Sequence, residues 1–433
     1  MLDVPQGHES ISENHPPPTA PQMPTPSAPT SYASPQESLD ERRRKYSQLQ
    51  SQPTFEWLSS RKFVKRIGKG GQGSVHLAER SGAAGFRVPV ALKFFSPEPF
   101  DNPKHYDAEM RRLAQVCAVV SRIQDDHLVS VDTFLEEHGV YFLEMEWIDG
   151  FDLLHILRRD TLDVMQESVT ERRWANLNER IITAGEVDCR LKPGMAVAIV
   201  RECLAGISAL HRGGIVHCDL KPSNVMVRRT GQIKIIDIGS AFCVDDPPAG
   251  QPCTLEYAAP ELLAGYRATP QSDVCSLGYM LLEMLSGARP FAGMQYGELI
   301  EAKQTFPERL PHLLPPQEFQ FSEALIRLLR RMVDPDPAQR FATAEDAELS
   351  DDGAAGFLRE LVKSDMADEY ASELRRWILD LERNVLPEED PASSYLIPDG
   401  TTRILDDVDV LPVDLSFRRE SGTAQGTGFE LCE

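Results

Sequence analysis

Residues 217–224 read His-Cys-Asp-Leu-Lys-Pro-Ser-Asn and place an acid, Asp219, a cation, Lys221, and an amide, Asn224, on one loop. A second acid, Asp237, follows thirteen residues after Asn224, beyond a short apolar hairpin. Phosphoryl transfer needs a base for the incoming hydroxyl, carboxylate and amide ligands for magnesium, and a cation near the phosphates. The pattern therefore predicts Asp219 as the base, Lys221 as the cation, and Asn224 and Asp237 as magnesium ligands.

A glycine-rich run upstream is a candidate loop for covering phosphates, because glycine lets backbone amides approach the phosphate oxygens closely. Its residues are Gly68, Gly70, Gly73 and Val75. Dinucleotide-binding folds share this glycine spacing, but there the loop opens a helix, whereas residues 74–78 read as a strand. The segment Val-Ala-Leu-Lys at 90–93 then supplies a strand lysine, as the protein-kinase signature set requires. We expect Lys93 to face the α- and β-phosphates.

A lysine in such a site needs a carboxylate that holds its ammonium in place. Glu109, on the predicted helix after Lys93, is the best candidate. The alternative is that Glu109 is a solvated helix acid like its neighbours Glu98 and Asp107.

The elements that must position these residues form two groups. Alternating or β-branched apolar residues predict strands at 62–67, 74–78, 88–95, 128–135 and 140–147, with a helix at 101–123. Helices dominate after Gly150. A β-rich piece followed by a helical piece predicts an α+β protein with a β-rich N-terminal lobe and a mainly helical C-terminal lobe.

These motifs resemble the eukaryotic-type serine/threonine protein kinase family over roughly residues 58–350. Further matches are the Ala-Pro-Glu element ending at Glu261, the acid Asp273 and the cation Arg340. The resemblance implies a two-lobed protein-kinase-like fold that transfers the γ-phosphoryl group of ATP, with Mg²⁺, to serine or threonine hydroxyls of proteins. It also implies that Asp273 holds the catalytic-loop backbone and that Arg340 pairs with Glu261. Thr254, seven residues before Glu261, favours serine/threonine over tyrosine specificity.

The same resemblance implies an adenine pocket. Met145 would be the gatekeeper, Glu146–Ile148 the hinge whose backbone bonds adenine, and Asp152 the ribose contact. The residues that would sandwich the ring are Ile67, Val75, Ala91 and Met226.

Two residues depart from the family pattern. Cys218 stands where many protein kinases have arginine, and Ile238 where most have phenylalanine. The activation segment of the family corresponds to residues 237–261 here. A cysteine at 218 cannot pair with a phosphate on that segment, so we predict activity that does not depend on its phosphorylation. The alternative is a pseudokinase scaffold or an ATP-binding regulatory module. That alternative predicts the loss of at least one of five residues, all of which are present: Lys93, Glu109, Asp219, Asn224 and Asp237.

The chain divides by composition into four parts. Residues 1–53 hold ten of the 32 prolines and few large apolar residues, so we predict a disordered tether whose basic run at 42–45 is solvated. Residues 54–350 form the kinase domain, with a partly helical insertion at about 158–192. Residues 351–386 are predicted to form a helical extension with an apolar stripe that packs on the large lobe. The stripe residues are Leu358, Leu361, Val362, Tyr370, Leu374, Trp377, Ile378 and Leu381. Residues 387–433 form an acidic tail.

Bulk properties limit the partners. A net charge of −22 argues against non-specific nucleic-acid binding. The eight cysteines show no framework spacing, which favours a reducing cytoplasm, and no apolar run is long enough for a membrane span. Delivery into another cell remains an alternative. In the tail, Thr401 and Ile404 have the spacing of the phosphothreonine ligands of forkhead-associated domains, although an unmodified tail is the simpler interpretation.

Overall fold

The computed structural model describes residues 38–385, except 52–53, 58, 249, 251, 315–322 and 364–368. The predicted acidic tail at 387–433 and most of the proline-rich segment lie outside these residues.

A six-stranded antiparallel sheet forms the first lobe. Its strands are β1 (Thr54–Trp57), β2 (Ser59–Gly70), β3 (Gly73–Ser81), β4 (Arg87–Phe95), β5 (Val131–Glu137) and β6 (Val140–Glu146), in the order β1-β2-β3-β4-β6-β5. At the turn between β2 and β3, Gly73 has φ +146°, and a Cβ there would lie 1.8 Å from the Phe94 carbonyl oxygen. Only glycine fits this position.

Helix α1 (Leu39–Ser51) precedes the sheet, and α2 (Pro103–Val120) follows β4. The Asn102 side chain caps α2 by accepting from the His105 N–H, and Pro103 occupies the first turn. The predicted helix is confirmed, and its inward face carries Met110 and Leu113, which are buried in the core. This packing fixes the position of Glu109, one residue before Met110.

The second lobe is mainly helical, as predicted. Its helices are α3 (Leu153–Leu157), α4 (Arg159–Ser168), α5 (Glu171–Arg180), α6 (Pro193–Arg212), α7 (Pro260–Leu263), α8 (Pro270–Ser286), α9 (Tyr296–Gln304), α10 (Phe306–Leu313), α11 (Glu323–Met332), α12 (Ala344–Leu349), α13 (Ala354–Lys363) and α14 (Tyr370–Val385). Its strands are β7 (Gly150–Asp152), β8 (Ile182–Ala184), β9 (Cys189–Leu191), β10 (Ile215–Val216), β11 (Val225–Arg228), β12 (Ile233–Ile235) and β13 (Phe242–Cys243). Helices α6 and α8 pack together at the centre.

Helix α6 has the length and apolar composition of a membrane span, but 72% of its apolar window is buried inside the protein. It is therefore a core helix of the second lobe. Pro193 occupies its first turn, as the sequence predicts.

The prediction of disorder for residues 1–53 is wrong for α1. Leu49 is buried against the sheet, and the guanidinium of Arg42 pairs with Asp107 on α2 and lies 6.0 Å from the Tyr106 ring centroid. Arg42 is thus not part of a solvated cluster. These long-range contacts stabilise a helix that its composition alone would not.

The insertion at 158–192 is ordered as α4, α5 and the β8–β9 hairpin. Helix α14 packs on α4, and its predicted stripe is buried at Leu374, Trp377, Ile378 and Leu381. The stripe prediction is wrong at Val362 on α13, which is 64% exposed. The extension thus stabilises the insertion as well as the large lobe.

Candidate active site

The catalytic loop and the activation segment meet at Thr254. The Thr254 hydroxyl donates to Asp219 Oδ1 at 2.7 Å, and its backbone N–H donates to the same oxygen at 3.0 Å. The Lys221 ammonium lies 2.8 Å from the Thr254 hydroxyl oxygen and 3.0 Å from Asp219 Oδ2. Asn224 donates to the Asp219 carbonyl at 2.7 Å. The structure therefore brings together the predicted base, cation and amide, and one threonine contacts both the base and the cation.

The buried carboxylate of Asp273 holds the backbone of the catalytic loop, residues 217–224. Asp273 accepts from the backbone N–H groups of His217 and Cys218, each at 2.9 Å, and from His211 Nε2 at 2.8 Å. Cys218 has φ +69°, a region that non-glycine residues rarely occupy. The predicted role of Asp273 is confirmed, and its two backbone bonds hold the loop in this conformation.

The second predicted support is also formed. Arg340 donates to both carboxylate oxygens of Glu261, at 2.7 and 2.8 Å, and to the Asp334 carbonyl at 2.7 Å. Ser272 donates to Glu261 as well, at 2.7 Å. Burial raises the pKa of Glu261, but the bonds from Arg340 and Ser272 outweigh it and lower the pKa. The pair is therefore ionised and anchors the end of the activation segment.

The carboxylate partner of Lys93 is Asp237. The Lys93 ammonium lies 2.7 and 2.8 Å from its two carboxylate oxygens and 3.1 Å from Gln72 Oε1. Burial raises the pKa of Asp237, but Lys93 and the Gly239 N–H outweigh it and hold the pKa at about 2. Gln72, in the glycine-rich loop, also donates to the Ser240 hydroxyl at 3.0 Å. This loop is thereby tied to the start of the activation segment.

The prediction that Glu109 holds Lys93 is not met in this structure. Glu109 instead pairs with Arg112, whose Nη2 lies 2.6 Å from Glu109 Oε1 and whose Nε lies 3.0 Å from Oε2. Arg112 also donates to the Ala241 carbonyl at 2.8 Å. Arg112, three residues along the same helix, therefore binds the Glu109 carboxylate, while Asp237 neutralises Lys93.

A cleft of about 600 Å³ lies between the lobes. Most of the predicted nucleotide and metal residues line it: Ile67, Gly68, Val75, Ala91, Lys93, Met145, Glu146, Ile148, Asp152, Asn224, Met226 and Asp237. Gly70, Gly73 and Glu109 are not among the lining residues. The insertion adds Arg158, Arg159 and Asp188 to the mouth of the cleft, a contribution that no motif in the sequence predicts.

The hinge residue Glu146 is held from both sides. Its backbone N–H donates to the Ser130 carbonyl at 3.0 Å, and its carboxylate accepts from Lys234 at 2.6 Å. Burial raises the pKa of Glu146, but the bonds that its carboxylate accepts from Lys234 and from the Ser130 backbone N–H lower the pKa overall. The Glu146 side chain therefore helps to hold the hinge in place.

Oxygen ligands suited to magnesium are present. Asp237 contributes an ionised carboxylate, and Asn224 uses its amide nitrogen for Asp219, so the amide oxygen is the group presented for coordination. Among the described residues, no group of three or more His, Cys, Asp or Glu side chains could hold a metal ion by itself. Asn224 and Asp237 would thus hold Mg²⁺ together with phosphate oxygens and waters, as Mg²⁺ sites on phosphates usually require.

Sequence reasoning missed Gln72 and Arg112. Gln72 stands at a variable position of the glycine motif and Arg112 belongs to no motif, and both act through side chains that reach another element. Ile238, which replaces the usual phenylalanine, is 2% exposed and fills the apolar core.

Comparison with known proteins agrees with this geometry. The model of the protein kinase domain family matches residues 61–349, so the chain belongs to that family. Serine/threonine-protein kinase PknD of Mycobacterium tuberculosis is 30% identical over 291 residues, which are 66% of this chain and 38% of that protein. Serine/threonine-protein kinase PknH of Mycobacterium bovis is 27% identical over 292 residues, covering 66% of this chain and 43% of that protein.

A mouse relative, the hormonally up-regulated neu tumor-associated kinase, is 27% identical over 288 residues, covering 64% of this chain and 35% of that protein. The chain thus spans less than half the length of these curated relatives. Members of the family use ATP with Mg²⁺, and the donor set described above fits both.

Proposed function

We propose that this chain is a serine/threonine protein kinase that transfers the γ-phosphoryl group of ATP, with Mg²⁺, to protein hydroxyls. The observation that carries the proposal is the Thr254 hydroxyl, which donates to Asp219 and accepts from Lys221. A threonine placed between the acid and the cation is what the resemblance to serine/threonine kinases implies. The names of the relatives support the same activity.

In this mechanism Asp219 accepts or orients the proton of the acceptor hydroxyl. Its carboxylate is kept in one orientation by two bonds from Thr254, so little reorganisation is needed during the reaction. Lys221 carries a positive charge 3.0 Å from that carboxylate and steadies the transferred group. Asn224 and Asp237 would hold Mg²⁺, which would neutralise phosphate charge when bound. Catalysis then comes from positioning and electrostatics, without a covalent enzyme intermediate.

The test compares wild type, Asp219→Asn and Asp237→Ala with labelled ATP and peptide libraries whose only acceptor is serine, threonine or tyrosine. We expect transfer to serine and threonine, a loss of at least about a hundredfold in Asp219→Asn, and retained ATP binding in that variant. Asp237→Ala should lose Mg²⁺-dependent nucleotide binding. Near-wild-type turnover in Asp219→Asn would contradict the assigned base.

A pseudokinase scaffold is the second candidate. The observation that favours it is the closed Lys93–Asp237 contact with Glu109 turned to Arg112. The experiment above separates the two. A pseudokinase would bind nucleotide but transfer no phosphoryl group, so Asp219→Asn would behave like wild type in the transfer assay.

We infer that Glu109 exchanges partners during activity. Asp237 would also be a ligand of Mg²⁺, and a carboxylate shared with the ion would hold the Lys93 ammonium less tightly, which would favour a second carboxylate partner for Lys93. Glu109 is 31% exposed and bonded only by its helical neighbour among the described residues, so its release costs little. Its pairing with Lys93 would then complete the site.

We further propose that activity does not depend on phosphate in the activation segment. Burial raises the pKa of the Cys218 thiol well above its usual value, so this position offers no charge for a phosphate. Between residues 240 and 253 the only hydroxyl is that of Ser240, which is buried and bonded by Gln72. Ser240→Ala should retain activity within about threefold. A collapse of turnover in that variant would contradict the proposal.

The acidic tail lies outside the described residues, and its role rests on the sequence alone. We propose Thr401 as an autophosphorylation site that a forkhead-associated domain can bind. Mass spectrometry of active enzyme after incubation with ATP should find phosphate at Thr401, and Thr401→Ala should abolish binding of such a domain. Unmodified threonines in active enzyme would contradict this.

We propose a cytoplasmic location. It is supported by seven free thiols among the described residues, six of them buried, and by the absence of disulfides there. Fractionation of the producing cells tests it, and recovery of the protein outside them would support delivery instead.

A further inference from the structure

A fully buried lysine on α9 lies beneath the segment that follows Thr254. Lys303 is 0% exposed, and its ammonium donates to three backbone carbonyls of that segment. The acceptors are Leu255 at 2.9 Å, Glu256 at 2.9 Å and Ala258 at 2.5 Å. An ammonium has three N–H donors, and here all three are used on one short stretch of backbone.

The ammonium has no close carboxylate among the described residues and is stabilised in other ways. The ring of Tyr279 lies 4.5 Å away and that of Phe291 4.7 Å away. Burial lowers the pKa of Lys303 to about 7, although the acidic groups Glu256 and Glu261 oppose this shift. A buried cation is expensive unless its donors are satisfied. This one is therefore tied to those three carbonyls.

The remaining carbonyl of the segment is bound as well. The Ser276 hydroxyl of α8 donates to the Tyr257 carbonyl at 2.8 Å, and the Tyr257 hydroxyl bonds Glu283 at 2.5 Å. Residues 255–258 are thus fixed to α8 and α9 through every backbone oxygen. Since Thr254 holds Asp219, a peptide that presents its hydroxyl to Asp219 must lie beside this fixed backbone.

We propose that Lys303 is a positioning residue for the acceptor peptide, acting through the backbone of residues 255–258. This rests on the proposed kinase function. Removal of the ammonium leaves three buried carbonyls without their donor, so the segment shifts and the acceptor hydroxyl is displaced from Asp219. The ATP cleft does not include Lys303, so nucleotide binding stays unchanged.

The experiment measures kcat and KM for peptide, and separately KM for ATP, in Lys303→Met, Lys303→Arg and wild type. We expect kcat/KM for peptide to fall about thirtyfold in Lys303→Met, with KM for ATP within twofold. Lys303→Arg, which keeps a cation with several donors, should restore most of the loss. Should Lys303→Met not fold, Lys303→Gln removes the buried charge yet keeps two donors, and an intermediate loss is expected.

The control is Trp377→Ala on α14, which lowers stability without touching the segment. The inference is overturned if Lys303→Met lowers kcat/KM equally for peptide and for ATP, or if its kinetic losses match those of Trp377→Ala. Lys303 would then be a purely structural residue. Asp219→Asn is assayed beside them. If wild type transfers no more phosphate than Asp219→Asn does, the proposed function fails, and the inference fails with it.

Discussion

Replacement of Arg112 by methionine tests whether the Arg112–Glu109 contact restrains the enzyme. Methionine keeps the length of the side chain but has no N–H donor. Wild-type Arg112 bonds Glu109, three residues earlier, and the Ala241 carbonyl of the activation segment. In Arg112→Met both contacts are lost, and Glu109 is free to pair with Lys93.

The size of the effect follows from these two contacts. A partly exposed ion pair between helical neighbours contributes about 0.4 kcal/mol, and Glu109 is 31% exposed. The bond to Ala241 contributes about 1 kcal/mol. Together they favour the observed arrangement by about 1.4 kcal/mol, which corresponds to a tenfold change in population. We therefore expect kcat/KM for peptide to rise by as much as about tenfold.

Steady-state kinetics in a double-mutant cycle provide the assay. The rise should vanish in the Glu109→Gln background, because no carboxylate is then available to Lys93. Arg111→Met is the matched control, since Arg111 is exposed on the same helix and bonds only the Asp107 carbonyl among the described residues. A lower activity in Arg112→Met, or an equal rise with and without Glu109, would refute the reasoning.

Three further predictions concern stability. Arg340→Met leaves the Glu261 carboxylate buried without its cationic partner. The free energy of unfolding, measured by denaturant titration, should fall by about 3–5 kcal/mol. A loss below about 1 kcal/mol would contradict the buried pair. Burial raises the pKa of Glu283 to about 7 despite its bond from Tyr257, so the native state keeps a proton that the unfolded chain has lost. Stability should therefore fall as the pH rises from about 4.5 to 7, and Glu283→Gln should flatten that part of the thermal-denaturation profile. Trp377→Ala should cost about 3–5 kcal/mol and loosen the insertion first, which amide exchange in α4 would detect.

The sequence by itself predicted the chemistry and the lobes. Acid, cation and amide lie within six residues on one loop, from Asp219 to Asn224, so their proximity is a property of the chain and not of its packing. Asp273 and Arg340 were predictable from the family pattern, and the structure confirms their contacts. Strands and helices followed from apolar periodicity, with bounds that differ by a few residues.

Only the tertiary structure determined which ion-pair and hydrogen-bond partners the long side chains have. Lys93 pairs with Asp237 and not with the predicted Glu109, whose carboxylate is bound by Arg112, a residue that no motif includes. Helix α1 exists because Leu49 and Arg42 find partners on distant elements, although its own composition predicts disorder. Lys303 illustrates the same limit, because a lysine in an amphipathic helix is expected on the surface. Its burial depends on three carbonyls about 45 residues away in the chain, and spacing alone does not encode such a contact.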